Sequence, residues 1–116
     1  VETHIANKNY DKSLKLLKKL TKREDLGTKR ADIYNLLGFS YRKLENPDLD
    51  KSFAAYMMAI EIDPSHLGAH EYLGELYLMR DQKDKAVIIL KKLDQLAGSN
   101  TEEYRELKIA IDAYQS

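Results

Sequence analysis

Apolar residues recur at every third or fourth position along most of the 116-residue chain, and polar residues fill the positions between them. This spacing places the apolar residues on one face of a helix, and no segment alternates with the period of two that a strand requires. Short turns make consecutive helices pack antiparallel. The sequence therefore predicts an all-α fold of about six helices. The first should begin near Tyr10 with Asn9 as its cap, and the breaks should fall at 21–30, 46–48, 63–66, 81–84 and 97–100.

Two stretches 36 residues apart carry the same types of residue in the same order. Self-similarity at a period of about 20 to 50 residues is the sequence sign of a solenoid. Helical hairpins with one apolar face each must stack to bury that face, so function should lie on a repeated surface and not in a single pocket. The matching positions are Tyr34, Leu37, Gly38 and Tyr41 in the first stretch and His70, Leu73, Gly74 and Tyr77 in the second.

The residues that follow each stretch extend the match. Ser52, Tyr56, Ala59 and Pro64 follow the first. This order resembles the tetratricopeptide repeat signature, which has an aromatic residue, a Leu-Gly pair, Tyr, a small residue, an aromatic residue, a small residue and Pro over about 34 residues. The second copy continues with Ala86, Leu90 and Leu93, and it has Gly98 where the family places Pro.

The resemblance covers nearly the whole chain and extends to small bacterial proteins of this family. It implies a single domain that is a TPR-like α-solenoid of stacked antiparallel helical hairpins. The expected division is a half-repeat at 1–30, a repeat at 31–66, a second repeat at 67–100 and a C-terminal capping helix at 101–116. Both flanking copies are incomplete, because residues 1–30 match only the second half of a repeat and residues 101–116 match only a first helix.

The two repeated glycines have a physical role that does not depend on the resemblance. Gly38 and Gly74 lack side chains on the first helix of each hairpin, so the second helix can approach closely where Ser52 or Ala86 is also small. A larger residue at either glycine would overpack the contact, at a cost of about 1 to 3 kcal/mol.

The resemblance also implies where a partner binds, because the first helices of this family line a concave groove that holds extended peptides or partner helices. Aromatic and Met side chains in that groove would anchor an apolar group, and two glutamates four residues apart would favour a basic group. The implied contact residues are Asn35, Phe39, Arg42, Lys43, Glu71, Glu75, Leu78, Met79, Arg105 and Ile109.

These residues predict a non-catalytic adaptor or scaffold that binds another protein or peptide. Some family members grip a partner's terminal carboxylate with a cationic clamp, but Glu102 and Glu106 stand where cations are needed, so we expect no such capture. His66 and His70 are spaced to share a Zn²⁺ ion, yet His70 occupies a packing position and no further ligand is indicated. We expect no metal, cofactor or catalytic residue, and therefore no enzyme.

Charge is balanced overall, with 19 basic and 19 acidic residues, but it is unevenly distributed. Residues 1–30 contain nine Lys or Arg and four acids, whereas residues 44–78 contain seven acids and one Lys. The basic first helix has a form that could bind an anionic membrane or nucleic acid, because its stripe of leucines is flanked by Lys12, Lys15, Lys18, Lys19 and Lys22. Its leucines match packing positions and no aromatic residues are interleaved for base stacking, so we expect neither nucleic acid binding nor membrane insertion.

The two ends of the solenoid differ. The last helix carries polar residues that can cap the stack, whereas Val1–Ala6 reads as the end of an earlier helix, which leaves the first complete helix without a hairpin partner. Either upstream residues are missing or this helix pairs with another chain, and Leu16 or Leu17 would then be uncovered. The alternative function is therefore a self-assembling structural module. The compartment stays open: cytoplasmic or, if Val1 follows a removed signal peptide, periplasmic.

Overall fold

The computed structural model describes residues 2–115, with side chains from residue 10 onward. The fold is all-helical in this range, which confirms the predicted fold class. Helices of this length form because each has an apolar stripe to bury, and polar turns of a few residues connect them. The six helices are α1 (Glu2–Leu20), α2 (Arg30–Arg42), α3 (Leu49–Ile62), α4 (Leu67–Met79), α5 (Lys83–Ala97) and α6 (Glu102–Ala113), and a short 3₁₀ segment (Glu24–Lys29) joins α1 to α2.

The chain forms two compact units that meet in sequence between Pro64 and Ser65. In the first unit, α2 and α3 form a tightly packed hairpin and α1 packs on α2. The backbone turns at Gly27, whose φ of 57° lies in the left-handed region that favours glycine. The core of this unit consists of Leu14, Leu17, Leu37, Tyr41 and Ala55, with Ile33, Tyr34 and Leu44 packed against it.

The α2–α3 hairpin is closest where Gly38 faces α3. The buried Ser52 hydroxyl donates a hydrogen bond to the Gly38 carbonyl oxygen at 2.7 Å. A Cβ atom added at Gly38 would lie only 2.5 Å from Cε1 of Tyr56, which is fully buried. The prediction that Gly38 and Ser52 allow a close helix approach is therefore confirmed.

In the second unit, α4 packs against both α5 and α6. The buried core contains Leu78, Ala86, Leu93, Leu107 and Ile111. A Cβ atom added at Gly74 would lie 2.6 Å from Cδ2 of Leu107. The nearest neighbours of Gly74 thus belong to α6 and not to the hairpin partner α5, where the sequence placed the close contact. Leu107 reaches into the space that a side chain at position 74 would fill.

Three helices begin with a side-chain cap that satisfies one free backbone amide. Asp48 caps α3 by accepting from the Lys51 amide at 3.1 Å, and Thr101 caps α6 by accepting from the Tyr104 amide at 3.1 Å. The cap of α4 is His66, whose Nδ1 accepts from the Ala69 amide at 3.0 Å. Histidine is not among the residue types that usually cap a helix.

The start of α1 differs from the prediction. The helix is continuous from Glu2 and passes through Asn9, so Asn9 is not a cap and residues 2–6 do not belong to an earlier helix; Val1 lies outside the described residues. Leu17 is buried, whereas 59% of Leu16 is exposed. None of the described helices combines the length and the apolar character that a membrane span requires.

We expect Gly38→Ala to destabilise the first unit. The added methyl group would overpack against the Tyr56 ring at a cost of about 1 to 3 kcal/mol, and the better helix propensity of Ala would offset about 1 kcal/mol of this. Urea unfolding measures the difference. In a Tyr56→Leu background, where Cε1 and Cζ are absent, the cost should shrink or change sign. The same cost in both backgrounds would show that Tyr56 is not the group that Gly38 accommodates.

Candidate interaction surface

Four glutamates of the second unit lie on neighbouring helices and form what we call the acidic surface: Glu71 and Glu75 of α4, and Glu103 and Glu106 of α6. The contact between Gly74 and Leu107 brings α4 and α6 together at this level. Glu71 and Glu75 share one face of α4 because they are four residues apart. Glu71 is half-buried, forms a hydrogen bond with Glu75 and lies within the electrostatic reach of both acids on α6.

This crowding changes the protonation of Glu71. Burial raises the pKa of Glu71 most, followed by the hydrogen bond with Glu75 and by the Glu75 charge. The negative charges of Glu103 and Glu106 act in the same direction, and the pKa rises from 4.5 to about 9. Glu71 therefore keeps its proton at neutral pH and forms its hydrogen bond with Glu75 in the protonated state. A cation brought to this site would lower the pKa again, since it stabilises the charged carboxylate.

Two exposed apolar side chains adjoin the acidic surface. Met79 follows Glu75 by four residues on α4, and Ile109 follows Glu106 by three residues on α6, so each lies one helical turn beyond an acid on the same side of its helix. Met79 is 48% exposed and Ile109 is 62% exposed. The surface thus combines carboxylates at one end with apolar groups at the other.

Ile109 also borders a shallow groove of about 500 Å³ on the outer side of α6. Arg105 lines this groove and donates a hydrogen bond to Asn100 Oδ1 at 3.2 Å. Lys108 pairs with Asp112 across one turn, with 3.2 Å between Nζ and Oδ2. Of the two residues that the sequence proposed on α6, Ile109 adjoins both the acidic surface and the groove, and Arg105 lies in the groove.

The residues proposed on α2 lie in the first unit. The Arg42 guanidinium and the Lys43 ammonium group lie over the Phe39 ring, at 5.5 and 5.4 Å from its centroid. These three side chains form one aromatic and basic patch. Asn35 is buried, with only 9% of its surface exposed, and its Oδ1 accepts no hydrogen bond from the described residues. Asn35 therefore presents little surface to a partner.

Leu78 does not belong to the exposed surface. It is only 9% exposed and packs in the core of the second unit with Leu93, Leu107 and Ile111. The family resemblance implied Leu78, together with Met79, as a residue of the groove. The helix rotates by about 100° between adjacent residues, so Leu78 points inward where Met79 points outward.

The sequence interpretation did not include Glu103 and Glu106 in the acidic surface. It assigned them to a polar cap that faces water. A signal for them exists in the repeat period. Helices α4 and α6 are separated by one intervening helix and therefore run in the same direction. A contact between positions 74 and 107 then also brings together the helical turns that come just before these two positions. That preceding turn contains Glu103 on α6 and Glu71 on α4.

The two histidines considered for zinc have other positions in the structure. The Nδ1 atom of His66 is occupied by the Ala69 amide, and His70 is 4% exposed on the packed side of α4. Within residues 10–115, no three His, Cys, Asp or Glu side chains gather in a way that could hold a metal ion.

Comparison with known proteins finds chains that are similar to this one. Tetratricopeptide repeat protein 37 of Xenopus laevis is 33% identical over 116 residues, which is 96% of this chain and 7% of that protein. The Uncharacterized protein ycf37 of Porphyra purpurea is 38% identical over 72 residues, which is 60% of this chain and 39% of that protein. The chain thus spans well under half the length of either relative.

No family model matches the chain, and no solved structure matches it. The two relatives and the all-helical fold together confirm the resemblance to the tetratricopeptide repeat family. The similarity indicates a protein-interaction module in general terms. The bacterial character of the chain and its division into one half-repeat, two repeats and a capping helix stay predictions.

We expect Glu71→Gln to stabilise the protein in a pH-dependent way. The folded-state pKa of Glu71 is raised above its unfolded value, so the stabilising effect of its proton is complete below pH 4.5 and is lost as the pH rises toward about 9. Gln keeps a donor for Glu75 but cannot ionise. Because Glu71 is half-buried and partly screened, the gain at pH 8 should be about 1 kcal/mol, or about 4 °C in Tm.

Thermal unfolding between pH 4 and 9 measures this gain. Glu61→Gln, an exposed glutamate of α3, is the matched control and should give a difference from wild type that does not change over this range. If the curves of Glu71→Gln and wild type run parallel at every pH, Glu71 is ionised in the folded protein.

Proposed function

We propose that this chain, as a protein that resembles the tetratricopeptide repeat family, is a non-catalytic adaptor that holds a helix or peptide on the acidic surface. The observation that supports this proposal is the half-buried Glu71 hydrogen-bonded to Glu75, with exposed Met79 one turn from Glu75 on α4 and exposed Ile109 one turn from Glu106 on α6. The preferred partner segment carries Lys or Arg beside an apolar residue. Its basic group meets the carboxylates while its apolar group covers Met79 and Ile109.

Electrostatics favours a basic partner for a specific reason. The folded protein already bears the cost of bringing four carboxylates together, and it relieves part of that cost by keeping a proton on Glu71. A Lys or Arg placed between Glu71 and Glu75 replaces this proton with a fixed positive charge. Since the carboxylates are held on two packed helices, little side-chain entropy is lost when the cation binds.

Burial of apolar surface supplies the other part of the affinity. Each exposed side chain that a partner covers contributes about 25 cal/mol for every Å² of apolar area removed from water. Met adapts its shape to different partners because its side chain is unbranched and flexible. Ile109 is the more exposed of the two and is therefore the stronger candidate for a central anchor.

The aromatic and basic patch on α2 is a second proposed contact region, formed by Phe39, Arg42 and Lys43. Phe39 offers apolar area, and the two cations over its ring favour a partner segment with an acidic residue. Asn35 and Leu78 are not included in this proposal because both are buried.

The test uses a labelled helical peptide in which two leucines one turn apart are flanked by lysines. We expect this peptide to bind the protein in fluorescence anisotropy, with an affinity that falls as salt screens the charges. Glu75→Lys should weaken binding by about tenfold or more, which is about 1.4 kcal/mol. Glu61→Lys on α3 introduces the same charge change elsewhere and should leave the affinity nearly unchanged.

A matched peptide with glutamates in place of the lysines distinguishes charge recognition from nonspecific hydrophobic binding. Equal binding of both peptides would contradict the proposal. The pH dependence adds a second check: because a bound cation lowers the pKa of Glu71, binding should release a proton and should strengthen as the pH rises toward about 9. Calorimetry in two buffers with different ionisation enthalpies measures that proton.

A further inference from the structure

The exposed side of α1 presents a basic stripe around one apolar residue. Lys12, Lys15 and Lys19 are exposed and lie three to four residues apart, which puts them on one side of the helix. Leu16 lies among them and is 59% exposed. Leu14 and Leu17 face the core of the first unit on the other side of α1. The basic stripe is therefore free to contact a partner while α1 stays folded in its own unit.

The basic stripe and the acidic surface match in charge and in dimensions. The stripe from Lys12 to Lys19 extends about 11 Å along α1, and the α4 residues from Glu71 to Met79 extend about 12 Å, at 1.5 Å per residue. Among residues 11–19, Asp11 is the one acid, and it lies at the edge of the stripe. Leu16 is thus an apolar anchor between lysines, the combination that the acidic surface and its neighbours Met79 and Ile109 are suited to bind.

We infer that the acidic surface of one chain binds the basic stripe of α1 from a second copy of the same chain. The inference rests on the proposed function, since it names the partner of that same surface. In the contact, Lys15 and Lys19 approach the carboxylates of Glu71 and Glu75, and Leu16 packs beside Ile109. Charge complementarity selects this occupant, because the chain itself contains a helix with the required pattern.

The geometry of such a contact determines the kind of assembly. The stripe lies on the first unit and the acidic surface on the second, so the two partners use different surfaces and the interface is heterologous. Each chain that binds still has one free stripe or one free acidic surface. The assembly is therefore a head-to-tail chain or a closed ring, and its size should grow with protein concentration and fall with salt.

Sedimentation velocity over a wide range of concentration, at about 50 mM and about 0.5 M salt, tests the inference. We expect wild type to sediment as multimers at low salt and as single chains at high salt. Leu16→Asp and Ile109→Asp should each weaken self-association by about tenfold or more, the equivalent of about 1.4 kcal/mol. Leu36→Asp, which changes a similarly exposed leucine of α2, is the matched control and should assemble like wild type.

Mixing the two defective variants provides the decisive measurement. Ile109→Asp retains an intact stripe and Leu16→Asp retains an intact acidic surface, so an equimolar mixture should form a species of twice the chain mass and nothing larger. Circular dichroism verifies that both variants are folded, and Lys15→Glu replaces Leu16→Asp if that variant is not. Assembly that persists in both single variants, or a mixture without the two-chain species, would overturn the inference.

The outcome for the inference can be separated from the outcome for the proposed function. If wild type stays a single chain at every concentration and at low salt, the second copy is not the partner. The lysine-containing peptide then tests the acidic surface itself. If the peptide binds and Glu75→Lys weakens its binding, the proposed function holds with a different basic partner. If the peptide does not bind, both the proposed function and the inference are wrong.

Discussion

The contact between Gly74 and Leu107 is the constraint on which the acidic surface depends. Because position 74 has no side chain, Leu107 of α6 occupies the space beside α4, and the two helices approach more closely than side chains would otherwise allow. The same approach brings the glutamates of the preceding helical turns together. This packing brings the charges of Glu103 and Glu106 to Glu71, where they add to the effects of burial and of Glu75 in raising the pKa of Glu71.

Both units contain a close helix contact at a glycine, Gly38 in the first and Gly74 in the second, but the consequences differ. In the first unit, the buried Tyr56 ring fills the space at Gly38 and Ser52 donates a hydrogen bond to the Gly38 carbonyl oxygen, so α2 and α3 pack closely. In the second unit, the corresponding space aligns two helices whose outer sides carry like charges. Like charges on packed helices cost stability, and a cation from a partner would lower that cost.

The sequence predicted the features that follow from local pattern. Helical periodicity gave the all-α fold, and the Leu-Gly pairs indicated close packing at positions 38 and 74, because a glycine within an apolar stripe has few other uses. Features that depend on the exact direction of a side chain were not predicted. Leu78 and Met79 are neighbours with opposite surroundings, and the His66 cap and the continuation of α1 through Asn9 depend on backbone geometry that residue types do not determine.

The positive charge of α1 would suit a membrane, a nucleic acid or an acidic protein surface, and the positions of its leucines bear on which of these it favours. An amphipathic helix binds a membrane by burying its apolar face among lipid chains, but Leu14 and Leu17 are already buried in the protein core. Among the described side chains of α1, Leu16 is the exposed leucine and lysines surround it, so little apolar area is left there for lipid chains. Residues 11–19 also contain no aromatic residue that could stack on bases. A short basic face with one apolar anchor instead fits a protein surface of similar length, where acidic and apolar groups lie side by side.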